Sequence, residues 1–387
     1  MSRYIYTYSP DRTTALPQTQ CVAQTSPHDI APDNCFRSVH WSPDGQSLAT
    51  SSEDNALRIY DYNQCANEPQ KLEPRLAISH GETLTAYAWY PFMNSADPAT
   101  CCIAENTRDQ PIHLRDTNNG GVRARYTALS SHETILTAGS VAFSSDGANI
   151  LAGYAGHLAQ FDVHRPGLPV DLAPLSPSRR SKEGMKGIVS CIAPNTDGRT
   201  MACATFSGHM SVRLQKDIRN SEILWSFPEE YGGRRGIDHT KWSSDGGILW
   251  ASTRGSERYL VAWDTRDMRG PLHAIARQSA RPDRGSQQRM LFDFDQSGRY
   301  LVAGQSDGSV AVYDTWYLDC NKPAYFSAHG DMVAGVCAHP YYSLLATASG
   351  QRHFDQPGSE SEEDGDSRAP DNSLKIWSVS ASYTQVE

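Results

Sequence analysis

Gly304-Gln305-Ser306-Asp307-Gly308 has the G-x-S-x-G spacing with which a hydrolase presents a nucleophilic serine. That chemistry needs the serine on a strand-to-helix turn above an oxyanion hole. Residues 309–314, SVAVYD, read instead as a strand, so Asp307-Gly308 is expected to be a hairpin turn. Arginines offer a second chemistry. Arg108, Arg254 and Arg352 occupy the equivalent turn in three different repeats. If those turns converge, the guanidinium groups form a discontinuous positive patch suited to phosphate or carboxylate; solvated turn residues are the plain alternative.

The acidic stretch GSESEEDGD at 358–366 is the opposite case. It reads either as a solvated loop or as a docking site for a basic partner, with Ser359 and Ser361 as phosphorylation candidates in an acidic context. There is no phosphate loop, no H-E-x-x-H and no EF-hand spacing. Neither a cofactor nor a metal is therefore expected, and no nucleophile–base pair marks a catalytic site. His80, His132 and His329 precede inner strands, where a histidine commonly joins a structural hydrogen-bond network with a turn aspartate and an inner-strand hydroxyl. Nine cysteines, none in C-x-x-C spacing, read as small buried hydrophobes.

The elements that position these residues are set by a repeat. Five turns, WSPDG at 41–45, FSSDG at 143–147, PNTDG at 194–198, WSSDG at 242–246 and FDQSG at 294–298, are each followed fourteen to seventeen residues later by an apolar closing residue: Tyr60, Phe161, Leu214, Trp263 and Tyr313. An apolar inner strand, a turn, a small-residue strand, a second turn and an aromatic-closed third strand make one propeller blade. FRSVHW-SPDGQ-SLATSS-EDN-ALRIYDY at 36–62 shows the pattern, with period-two alternation in its last strand. Similar units begin near Ala86, Gly139, Ile188, Ile237, Met290 and Val333, which makes seven. Two carry insertions at a turn: 91–98 in the second and 351–372 in the last.

The fold class is therefore all-β, a seven-bladed WD40-type β-propeller closed by a terminal strand. Closure is needed because an unpaired last edge invites aggregation. A strand at 19–25 could supply it, and the C-terminal tail competes for the same place. The expected layout is an N-terminal segment at 1–35, one propeller at 36–380 and a short tail at 381–387, as a monomer.

Composition agrees with a loop-rich all-β protein: 39% hydrophobic residues and mean hydropathy −0.54. No run approaches the ~18 apolar residues of a membrane helix, and the start has no secretory apolar stretch. A nuclear or cytosolic protein is expected. The net charge of −9 argues against a generally basic surface but allows local basic patches.

These blocks resemble the telomerase Cajal body protein family, WD-repeat proteins of small nuclear and telomerase RNA particles. The resemblance covers 36–377. Its most specific pieces are WSPDGQSLATSSEDNALRIYDY at 41–62, AYAWYPFMNSADPAT with ENTRDQPIHLRD at 86–116, GIVSCIA at 187–193 and HPYYSLLATASGQRHFDQPGSESEEDGD at 339–366. It implies a noncatalytic adaptor that binds a short element of box-type guide RNA or telomerase RNA and aids nuclear localisation; some relatives are splicing-associated. Both ends are shorter than in the longer relatives, which puts delivery to nuclear bodies in doubt if localisation signals lie there. Single-stranded loops are read by stacking, base-edge hydrogen bonds and a few cations, and Arg108, Arg289 and Arg352 are the expected phosphate or base-edge contacts. The competing expectation is a protein-only scaffold working through the propeller rims, such as a ubiquitin-ligase substrate receptor.

Overall fold

The computed structural model describes residues 18–25, 34–64, 68–178, 180–231, 235–255, 258–267, 269–277, 288–316, 323–351 and 371–380. They form seven sheets arranged as the blades of a propeller, antiparallel apart from one short edge strand. Blade 1 is built from Phe36–Trp41, Ser47–Ser52, Ala56–Asp61 and Pro74–Ser79. The inner strands of blades 2 to 7 are Leu84–Trp89, Ser140–Phe143, Val189–Pro194, Ile237–Trp242, Phe292–Phe294 and Val333–Ala338. Among the described residues the only helix is the single 3-10 turn Glu229–Tyr231, and no helix is long and apolar enough to cross a membrane.

The repeated turn has a physical reason at every position. In blade 1 the Ser42 hydroxyl donates to Asp44 Oδ1 (2.6 Å), and the same oxygen accepts the Gln46 N–H (3.1 Å). The Gly45 N–H closes on the Ser42 carbonyl (2.9 Å) with φ at +71°, a conformation that costs an L-residue with a side chain. The same construction recurs at Ser144, Asp146 and Gly147 and at Ser243, Asp245 and Gly246.

The leading aromatic of the turn staples blades together. Trp89 donates its indole N–H to the His40 carbonyl of blade 1 (3.1 Å), and Trp242 donates to the Ala193 carbonyl of blade 4 (2.9 Å). The closing residues Tyr60, Phe161, Trp263 and Tyr313 are at most 3% exposed between blades. Each such burial is worth roughly 1.5–3 kcal/mol. Leu214 alone of the five is only half-buried.

Blade 7 is closed from the other end of the sequence. Gln18–Gln24 pairs antiparallel with Leu374–Ser380, Thr19 opposite Val379 and Gln24 opposite Lys375, and Gln70–Lys71 then adds a short parallel strand outside it. Ala23, fully buried, joins Phe36, Leu72, Leu374 and Ile376 in one cluster that unites blades 7 and 1. Of the two candidates for closure, the N-terminal strand is the one that occupies the place.

Candidate functional site

Each blade's turn between its second and third strands lies at the same end of the ring as the connections entering the inner strands. The residues that open these turns are Glu53, Arg108, Tyr154, Phe206, Arg254, Gln305 and Gly350. Ser306 falls in the blade 6 turn: Gly308, at φ +87°, leads into the strand Ser309–Asp314, and Asp307 accepts the Ser309 N–H (2.9 Å). This is the hairpin that the sequence predicts.

The arginines separate. Arg108 is exposed on the blade 2 rim, its N–H donating to the Thr83 carbonyl (2.9 Å). The next residue, Asp109, is tied to Thr137 ahead of blade 3 (2.9 and 3.1 Å). Arg254 turns inward. Its guanidinium lies 4.8 Å from the centroid of the Phe206 ring, with Nε 3.9 Å from Asp238 Oδ1. Arg352, Ser359 and Ser361 lie outside the described residues, as does the acidic stretch; Gln351 and Asp371 stand in the blade 7 turn on this same face.

Arg289 occupies the channel. It enters from blade 6 and donates Nη2–H to the carbonyl of Gly139 in blade 3, three blades away (3.2 Å). On the way its guanidinium lies 5.2 Å from the Phe206 centroid, so Arg254 and Arg289 share one aromatic ring. Gln288 crosses as well, its amide donating to the carbonyls of Phe36 and Gly350 (3.0 Å each). Burial presses the Arg289 pKa below the ordinary guanidinium value; Asp238 opposes that shift, while Arg254 and Arg37 reinforce it.

Asp238 is the acid of this group. It is 1% exposed, and Arg258 donates to its Oδ2 (2.8 Å). Burial pushes its carboxyl pKa up, against the pull of Arg258, Arg289 and Arg254. Arg258 also donates to the Gln288 carbonyl (2.7 Å), and the buried Arg277 to Ser252 Oγ (3.0 Å) and the Met290 carbonyl (3.2 Å). Thus Arg277, Gln288 and Arg289, on either side of the blade 5 to 6 connection, are drawn into the channel wall.

Sequence reasoning missed Phe206, Asp238, Arg258 and Gln288. Phe206 had a signal, since it stands in the blade 4 turn exactly where Arg254 stands in blade 5. Asp238 had none, because it is a bulge residue in a strand of otherwise ordinary pattern.

The histidines divide too. His329 has Nδ1 3.1 Å from Ser373 Oγ and 3.4 Å from Asp371, with Nε2 2.7 Å from Thr347 Oγ1; Trp377 donates to that same hydroxyl (2.8 Å). The turn aspartate is the one expected, but the hydroxyl comes from Thr347 in the second strand of the blade, Leu344–Ser349, and not from the inner strand. Burial opposes the Asp371 charge, but hydrogen bonds from His329 and Ser373 hold its pKa well below the usual range. His80 pairs with the buried Glu105 (3.2 Å), whereas His132 is exposed. Farther down the channel Lys241 and Asp293 form an ion pair beside His40 and Cys337.

Comparison with known proteins agrees with this architecture. The WD domain, G-beta repeat model matches residues 19–61. Telomerase Cajal body protein 1 of Bos taurus is 33% identical over 358 residues, 90% of this chain and 63% of that protein. The Homo sapiens protein of that name is 33% identical over 347 residues, 86% of this chain and 61% of its own length. Guanine nucleotide-binding protein negative regulator 1 of Schizosaccharomyces pombe is 28% identical over 381 residues, covering 95% of this chain and 91% of the yeast protein. The chain thus spans less than two thirds of these two Cajal body proteins. With seven blades in place, the chain is a WD40-type propeller that is similar along about nine tenths of its length to telomerase Cajal body proteins.

Proposed function

We propose that this propeller is a noncatalytic adaptor that binds small nuclear RNA particles in the nucleus, reading a short single-stranded element on the face that carries Arg108 and the arginine-lined channel mouth. The observation that carries the reading is the pairing of cations with an aromatic ring there, Arg254 and Arg289 on Phe206, in a chain homologous to proteins named for telomerase and the Cajal body. Unpaired loops are bound by such combinations of stacking surface and a few cations, which a net charge of −9 does not prevent. Arg108 is the exposed rim contact, and Arg352 is assigned the same role from its sequence position.

Crosslinking and sequencing of RNA bound to the tagged protein in its native cells tests this, with Arg108→Glu/Arg352→Glu as the comparison. Recovery of box-type guide or telomerase RNA supports a localisation adaptor, and spliceosomal small nuclear RNA supports a splicing role. The double variant is expected to lose most of the signal with its melting temperature unchanged.

A second reading is a protein-only scaffold, such as a ubiquitin-ligase substrate receptor. Its support is the end-to-end match to a yeast protein named as a regulator of a guanine nucleotide-binding protein, together with exposed Phe92, Tyr341 and Tyr342 on the opposite face. Copurifying protein subunits with no enriched RNA would favour it.

A further inference from the structure

The channel mouth places a cation where proteins seldom leave one unbalanced. Arg289 is half-buried at the centre of the ring, yet among the described residues it forms no ion pair. Its guanidinium has one hydrogen bond, to the Gly139 carbonyl, and otherwise meets the face of Phe206. Asp238 is engaged by Arg258 and lies 3.9 Å from Arg254 Nε, so one carboxylate faces these guanidinium groups together, and the nearby Arg37 is engaged by Glu53 (2.6 Å).

A guanidinium carries five N–H donors in a fixed fork, and holding it away from water without a counter-charge costs several kcal/mol unless something compensates. The Phe206 face compensates only in part. Arg254, on the same ring, is half-buried as well and adds a second cation within reach.

We infer that the channel mouth is an anion site, in which one phosphate group is held between Arg289 and Arg254 above Phe206. A tetrahedral dianion or a phosphodiester matches the forked donors of two guanidinium groups, as a monovalent halide does not. The site stands on the placement of Arg289 and exists whether or not RNA binds the rim. Its phosphate comes either from a bound strand or from a free phosphate compound.

The test is titration of the full chain with inorganic phosphate, followed by calorimetry and by the melting temperature, against chloride at equal ionic strength. Wild type is expected to show saturable binding and a phosphate-dependent rise in melting temperature. Arg289→Gln should weaken binding about tenfold or more and abolish the rise. If Arg289→Gln does not fold, Arg254→Gln serves, with a smaller loss expected. Equal phosphate stabilisation in wild type and the folded variant overturns the site, because a general salt effect acts on both alike. Two further arms use a short single-stranded RNA. Displacement of phosphate by RNA identifies the phosphodiester as the source, and simultaneous binding identifies a free phosphate compound. RNA capture in cells that persists without any phosphate site would leave the adaptor reading intact and remove only this inference.

Discussion

His339 Nε2 lies 3.0 Å from the carbonyl oxygen of Gly45, joining the last blade to the first. The backbone N–H groups of Tyr341 and Tyr342 both point at His339 Nδ1 (3.0 and 3.1 Å). Nδ1 must therefore accept, and Nε2 must carry the proton that it donates to Gly45.

A side chain at Gly45 would break this junction. An added Cβ would lie 2.5 Å from the imidazole, and φ is +71°. Gly45→Ala is expected to cost about 2 kcal/mol, read as a lowered urea midpoint with an unchanged slope.

The closing strand gives a sharper test. Ala23 is fully buried between blades 7 and 1, whereas Gln20 in the same strand is exposed. Ala23→Asp is expected to destabilise by about 3 kcal/mol or more, and Gln20→Asp by no more than about 0.5 kcal/mol. Equal effects in chemical denaturation would contradict the register of the strand.

In blade 7, Thr347 serves two partners, Trp377 and His329. Thr347→Val keeps the volume and removes the hydroxyl, leaving both without it. The expected loss is about 1–3 kcal/mol, visible in the melting temperature and in the near-ultraviolet signal of the tryptophan.

Acid should weaken the fold through two buried histidines. Burial lowers the pKa of His40 to about 4, with Asp293 opposing the shift and Lys241 adding to it. Burial, then Lys241 and His40, lowers that of His239 to about 3; Asp293 again opposes and Arg289 adds to the shift, while Phe292 packs on the ring. A lowered folded-state pKa means that the unfolded chain binds the proton first. Stability is then full above about pH 6.5 and falls as pH drops toward 4, by up to about 1.4 kcal/mol per pH unit for each histidine. Urea midpoints between pH 7.5 and 5 should show this slope, and His239→Asn should reduce it by about half, leaving the His40 contribution.

Most of the fold was legible because its signals are local. Ser, Asp and Gly in WSPDG make their own hydrogen bonds, and the closing aromatics mark where each third strand meets its neighbour. The N-terminal strand was legible as a requirement, since some segment had to cover the last edge. Arg254 and Ser306 could be placed from turn register alone. Arg289 could not: its role depends on reaching Gly139 across the ring, and nothing in the residues around 289 encodes a distance to blade 3. Phe206 was overlooked although it holds in blade 4 the turn position that Arg254 holds in blade 5, because the cations that rest on it come from other blades.

The pairing of Gln18–Gln24 with Leu374–Ser380 also has a consequence in time. Leu374 donates to Thr25 across 349 residues of sequence (3.0 Å). On a ribosome adding roughly 5–20 residues per second, the first strand therefore waits from about twenty seconds to over a minute for its partner to be made. Throughout that interval the growing chain keeps an open edge at both ends, and the ring is completed only once Leu374–Ser380 has been made.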